Sequence, residues 1–303
     1  MTRTDFAPAV LEPELPLDAF VAGRAWAPVG VVLDEALVDA YLDATGEHHP
    51  LYDAHGFAPP LIATMVRWVK GSLGGRWPSG TLQLDHRLST HRALRRGETL
   101  SIDARILGDA VRGGRACWVM GSTLRDAAGE VVGEQASTSM AAGAAPRAAG
   151  GRAPGDAAAV NREPDDGADA RDAPDATAVP TLGPLHARFD ARALAAFGRV
   201  AGALDPIHVD PDYARGTRWG VNIAQGRLVM TLASRLMLER FGERWLHGHA
   251  LSVSFARAVP VDEPLCATAH AIGDDGLDYT LRILDGAGRT VIRGRARLDG
   301  PAG

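Results

Sequence analysis

The 303-residue chain predicts an α+β fold built twice. Three observations carry this reading. First, the residues from Asp34 recur from Asp190 at one constant spacing: Asp34 with Asp190, Ala40 with Ala196, Gly46 with Gly202, Pro50 with Pro206. Second, the match resumes after the spacing has grown, with Arg92, Leu100, Ala104 and Gly108 answering Arg257, Leu265, Ala269 and Gly273. Third, each half runs through the same order of patterns: a capped helix, a proline loop, an apolar helix, then alternating apolar runs. A repeat of this length is a duplicated domain, because solenoid units are far shorter.

The first element of each half is a short helix with an Asp at its start (Asp34, Asp190) and a Gly at its end (Gly46, Gly202). An Asp side chain accepts from the free amides of a first turn, and Gly adopts the left-handed conformation that closes a last one. A proline-containing loop follows. It carries His208 in the second half and Tyr52 at the matching place in the first.

Next comes an apolar helix. In the second half it spans Gly226 to Phe241, with Leu228, Val229, Leu232, Leu236 and Met237 covering most of its circumference. A helix apolar on most sides is expected to be buried. Its counterpart in the first half spans about Leu61 to Val69.

The remaining runs alternate and are bounded by turns, which predicts antiparallel strands. They are Leu82 to Leu88, Thr99 to Leu107, Ala116 to Leu124 and Val131 to Ser137. In the second half they are Ala250 to Phe255, Pro264 to Ile272, Asp278 to Leu284 and Thr290 to Leu298. Asp126-x-x-Gly129 and Asp285-x-x-Gly288 mark the last hairpin of each half. One buried helix followed by long strands implies a curved sheet wrapped around a helix.

These patterns divide the chain into a module at 1–140, a linker at 141–180 and a module at 181–303. The linker is Ala, Gly, Pro, Asp and Arg with almost no large apolar side chain, so it cannot bury enough surface to offset its ordering entropy.

Composition narrows the function. A formal net charge of −5 offers no field for nucleic acid or an anionic membrane. The longest apolar stretches are broken by Arg67, Arg235 and Arg240, so no segment is expected to span a bilayer. Met1 to Phe6 lacks the apolar run of a signal peptide. Cys117 and Cys266 stand one in each half without redox or zinc spacing. Reduced thiols and a cytoplasmic location are the expectation. His247-Gly-His249 has no third residue spaced to complete a metal site, so no metal is expected. No phosphate-binding glycine loop or serine elbow is present.

The residues around His208 carry a resemblance. Ala201-Gly-Ala-Leu-Asp-Pro-Ile-His-Val-Asp-Pro-Asp-Tyr-Ala214, then Thr217-Arg-Trp-Gly-Val-Asn-Ile-Ala-Gln-Gly-Arg-Leu228, resembles the MaoC-like, or R-specific enoyl-CoA hydratase, family. Pro206, Ile207, His208, Asp210, Ala214, Gly220, Ile223, Ala224 and Gly226 fit its pattern. The resemblance implies a hot-dog fold, here doubled. It also implies a hydratase or dehydratase acting at the 2,3-position of an acyl thioester on coenzyme A or a carrier protein, without a dissociable cofactor. Hot-dog modules associate in twos, so a monomer with an internal pair and a homodimer both agree with the duplication. The family's catalytic Asp, five residues before the His, is Ala203 here. The usual Asn position is Asp205, and the usual His before the helix glycine is Gln225. In the first half Glu47 holds the Asp position, but Tyr52 replaces the His.

Hydration of an activated double bond needs a base for water, an acid for the α-carbon and donors for the thioester oxygen. His208 is the expected acid/base residue. Asp205 either caps the loop or partners the imidazole. By resemblance the backbone amide of Gly226 is the oxyanion donor, at the unpaired, positive end of the buried helix. Gln225 suits either a donor to a substrate carbonyl or a brace for the loop. Ile223 is placed with it in substrate binding. The basic stretch from His86 to Arg96, with Arg92 and Arg95, is either a rim for coenzyme A phosphates or an ordinary solvated strand edge. The first-half loop, His55 to Pro60, suggests a hollow for the acyl chain. Two rivals stand beside the hydratase. One is a non-catalytic thioester-binding protein, since Ala203 removes a carboxylate. The other is a hot-dog thioesterase, for which Glu239 is the only acid late in the central helix.

Overall fold

The computed structural model describes residues 13–112, 114–141 and 181–299. The expected linker therefore lies outside the described residues from position 142 onward. In the first half the elements are β1 (Ala25–Val32), α1 (Glu35–Thr45), α2 (Pro50–Ala54), α3 (Val66–Leu73), β2 (Leu82–Thr90), β3 (Thr99–Arg112), β4 (Arg115–Arg125) and β5 (Val131–Met140). In the second half they are β6 (Leu182–Ala187), α4 (Ala191–Ala201), α5 (Pro206–Val209), α6 (Pro211–Arg215), α7 (Gly226–Phe241), α8 (Glu243–His247), β7 (His249–Phe255), β8 (Leu265–Ile272), β9 (Asp278–Asp285) and β10 (Thr290–Leu298).

The strands form one antiparallel sheet in the order β1-β3-β4-β5-β2-β7-β10-β9-β8-β6. The order is symmetric about its centre, where β2 of one module pairs with β7 of the other. Asp85 faces Ser254 at one end of that seam and Thr90 faces His249 at the other. Joining two modules edge to edge satisfies backbone groups that each would otherwise expose. α7 packs against β6 to β9, and its Leu228, Val229, Leu232, Leu236 and Met237 are buried. α1 packs on α4, with Tyr41 and Phe197 ring centroids 6.2 Å apart. One apolar core runs through both modules.

The capping expected from the sequence is present. The Asp34 side chain accepts from the Leu37 amide and Asp190 from that of Ala193, and Gly46 and Gly202 close their helices at φ 67° and 72°. Each module also reaches into the other at these helix ends. From α3, Arg67 donates to the Val200 carbonyl at 3.1 Å and Lys70 to that of Gly202 at 2.7 Å. Cations are favoured at this end of a helix, where the carbonyls are unpaired. From α7, Arg235 lies against Gly46.

The structure corrects the sequence reading in two places. The first-half apolar segment is not one helix. A 3₁₀ turn, Pro60–Thr64, is followed by extended Met65 (φ −59°, ψ 134°), and only then does α3 begin. The first strand of each module, β1 and β6, was not expected.

Candidate active site

The site is assembled at the N-terminus of α7. Two Asp-Pro pairs shape the loop before it. Asp205 caps α5, its carboxylate accepting from the Ile207 amide at 3.2 Å, with Pro206 in the first helical position. Asp210 caps α6 in the same way, with Pro211 first. Proline suits that position because its missing N–H would have had no partner there.

The segment 222–224 lies against 259–261. Ala224 donates to Val259 and Val261 donates to Asn222, both at 2.8 Å. The buried Asn222 side chain and the Ile223 amide both donate to the Ile207 carbonyl, at 3.0 and 3.3 Å. Ile207, Ala214 and Ile223 form a small apolar cluster with Trp219 beneath the loop.

This frame fixes His208. Its Nδ1 lies 2.8 Å from the Ile223 carbonyl. A carbonyl only accepts, so Nδ1 carries the proton and Nε2 is the free lone pair. The imidazole is half-buried. Desolvation lowers its pKa, opposed by the Ile223 bond and by the charge of Asp205, so the ring is held neutral. Asp205 acts through space and through its cap. Its carbonyl accepts from the His208 amide at 2.9 Å, but among the described residues its carboxylate makes no hydrogen bond to the imidazole.

Ile223 thus contributes through its backbone; its side chain is packed in the cluster. Gln225 is buried. Its amide nitrogen donates to Leu194 O at 3.0 Å and Ala203 O at 3.3 Å. Both amide protons are engaged in bracing the loop, so none is left for a substrate carbonyl. Its Oε1 is buried without a partner.

The amides of Gly226 and Arg227 have no backbone acceptor among the described residues. A Cβ on Gly226 would meet the Phe255 ring at 2.8 Å, so glycine is required here for the close approach of β7. Arg227, Gln83, His86, Tyr41 and Phe255 border the same helix start, and of these the sequence pointed only to His86, as the first residue of the basic stretch. The signal was present for Arg227, a charge at the head of an otherwise apolar helix.

Arg92 and Arg95 are not brought to His208. They follow Thr90, at the end of the β2–β7 seam away from Ser254 and Phe255, roughly 20 Å along at ~3.4 Å per residue. Arg92 pairs with Glu98 and Asp126. The Arg95 guanidinium lies 5.0 Å from the centre of the Phe57 ring. Together with Arg96 and His247 they line an open pocket of about 600 Å³. In the loop His55 to Pro60, where a hollow was expected, Phe57, Ala58 and Pro60 are buried.

The matching place in the first module is closed. Glu47 and Tyr52 are buried, and the Tyr52 hydroxyl donates to Glu47 at 3.1 Å. Burial raises the Glu47 pKa from 4.5 to about 7, with the Tyr52 bond and Arg235 opposing.

Comparison with known proteins agrees with this fold. Residues 174–281 match the model of the MaoC like domain. A search of curated proteins by sequence gives no match. A MaoC-like dehydratase from Phytophthora capsici is similar in structure over 95% of this chain and 100% of its own, with a TM-score of 0.71 at 16% identity. HtdX of Mycobacterium tuberculosis is similar over 91% and 100%, with a TM-score of 0.66 at 16% identity. A conserved protein of the same organism, with a double hot-dog fold, is similar over 93% and 97%, with a TM-score of 0.65 at 16% identity. At these identities the likeness is one of fold. The chain is a double hot-dog protein whose second module carries a MaoC like domain.

Proposed function

We propose that the chain adds or removes water at the 2,3-position of an acyl thioester, with the second module as the reacting one. One observation carries this reading. A neutral imidazole, fixed by a 2.8 Å bond at Nδ1, has Nε2 free in the loop that leads to the unpaired amides of α7.

In the hydration direction His208 Nε2 takes a proton from water as the water oxygen bonds to C3. The π electrons move toward the thioester carbonyl, and the Gly226 amide stabilises the oxygen that becomes negative. The proton on Nε2 then passes to C2. With alanine at position 203, one group performs both transfers, which requires both to occur on one face of the double bond. The MaoC like domain supports the class of chemistry, and a thioester carbonyl would polarise the double bond as the reaction needs. Coenzyme A or a carrier protein would hold the acyl group.

The thioesterase reading is disfavoured because Glu239 is exposed to solvent, away from the start of α7. The binder reading rests on Ala203. A single assay separates all three. Crotonyl-CoA and longer enoyl-CoAs are incubated with the protein, following loss of the conjugated double bond and release of free thiol. Loss without thiol is expected. Thiol release would indicate the thioesterase, and silence with measurable binding the binder.

A further inference from the structure

Beside the helix start lies a set of donors that the reaction does not use. Arg227, the residue after Gly226, is ringed by protein yet partly open to solvent. Its guanidinium donates to the Thr64 carbonyl and, at 3.4 Å, to Gln83 Oε1. Among the described residues no carboxylate pairs with it. Burial lowers its pKa to about 10, opposed only by Tyr41. A buried cation without an opposite charge is costly, and an arriving anion would relieve that cost.

A second observation points to the same place. β2 bulges between Gln83 and Asp85, which turns Gln83 and His86 to the same inner face. Gln83 Nε2 lies 3.0 Å from His86 Nδ1. Because Gln83 accepts from Arg227 through Oε1, its Nε2 is the donor, and His86 carries its proton on Nε2. That Nε2 is buried and has no partner. His86 is 1% exposed. A guanidinium without a carboxylate partner and an imidazole N–H without an acceptor are thus coupled through one glutamine.

We infer that the acyl group ends in a second carboxylate, so that the substrate is the monothioester of a short unsaturated dicarboxylic acid, its free carboxylate held by Arg227 and His86. A carboxylate accepts two parallel bonds from a guanidinium and matches its planar fork. Arg227 directly follows the oxyanion donor Gly226, so both stand in the first turn of α7. The orientation of the reactive end rests on the hydratase reading, whereas anion recognition is measurable without turnover.

The test uses calorimetric titration of the full chain with two saturated, unreactive thioesters, succinyl-CoA and butyryl-CoA. Succinyl-CoA is expected to bind at least tenfold more tightly. Arg227→Met should bring the ratio to about one, and His86→Leu should reduce it severalfold. Equal binding by the unaltered protein overturns the inference, as does a preference that survives Arg227→Met. Should Arg227→Met fail to fold, the unaltered protein's ratio and His86→Leu decide. Hydration of fumaryl-CoA and crotonyl-CoA is followed in parallel. A succinyl preference without hydration of either leaves the anion site standing and removes the hydratase reading. Hydration of crotonyl-CoA with no preference does the reverse.

Discussion

The two modules share a fold and differ at four aligned places. The acid position is Glu47 in the first and Ala203 in the second. The imidazole position is Tyr52 against His208. The residue before the central helix is Met65 against Gln225, with nearly the same backbone angles. The first helical residue is Val66 against Gly226. In the first module the polar pair bonds to itself, Tyr52 to Glu47, and nothing is left for a ligand except a buried Glu47 oxygen. In the second module the backbone satisfies one side of His208 and leaves the other free. The difference teaches that a site is made by what its loop leaves unpaired, more than by how many polar groups it holds.

Five substitutions probe that contrast. His208→Ala should lower hydration by about 10²–10⁴-fold with the fold retained, while Tyr52→Phe leaves turnover unchanged. Steady-state kinetics on both variants check this, and equal losses would sink the division of labour. Gly226→Val, which copies the first module into the second, drives a branched side chain into Phe255. It should cost about 1–3 kcal/mol by overpacking and at least tenfold in kcat/KM, read by denaturant titration and assay.

Glu47→Gln addresses the closed site. The Glu47 carboxyl keeps its proton to about pH 7 when folded but loses it near its ordinary 4.5 when unfolded. The unaltered protein should therefore lose stability as pH rises from about 4.5 to 7 and then level off. The variant should lack that slope and be more stable at pH 8 by roughly 1–3 kcal/mol, since each tenfold change in proton affinity is worth ~1.4 kcal/mol. Matching melting curves at pH 5 and pH 8 for the two proteins would contradict it.

The smallest effect is expected from Asp205→Asn, which keeps the cap and removes the charge. Asp205 raises the His208 pKa against burial, so the acid limb of the rate profile, already below the usual histidine range, should move lower still. An unmoved limb would reduce Asp205 to a cap.

Much of this was legible in the sequence because it depends on local chemistry. The Asp caps, the closing glycines and the alternation in eight of the ten strands need only neighbours along the chain. β1 and β6 escaped because Pro28, Gly30, Gly183 and Pro184 interrupt their runs. Proline is tolerated on an edge strand, where one side needs no donor, and these are the two edges of the sheet. The break at Met65 was hidden because the residues around it are apolar whether the segment is helical or not. His208 and Gly226 could be found by motif, yet the role of Gln225 depended on the C-terminal end of α4, which only the packing brings near. The position of Arg92 and Arg95 relative to His208 was hidden for a similar reason. A basic run can be read in one dimension, but which end of an antiparallel seam it reaches cannot.

The helix ends where the modules clasp one another have an evolutionary consequence. Arg67 and Lys70, from the module that has Tyr52 where the other has His208, hold the turn from which the His208 loop departs. Truncating the chain to its apparently active part would release that turn and blur the placement of the ring. If the second module is the reacting one, the first is shielded from deletion and bound to keep its shape.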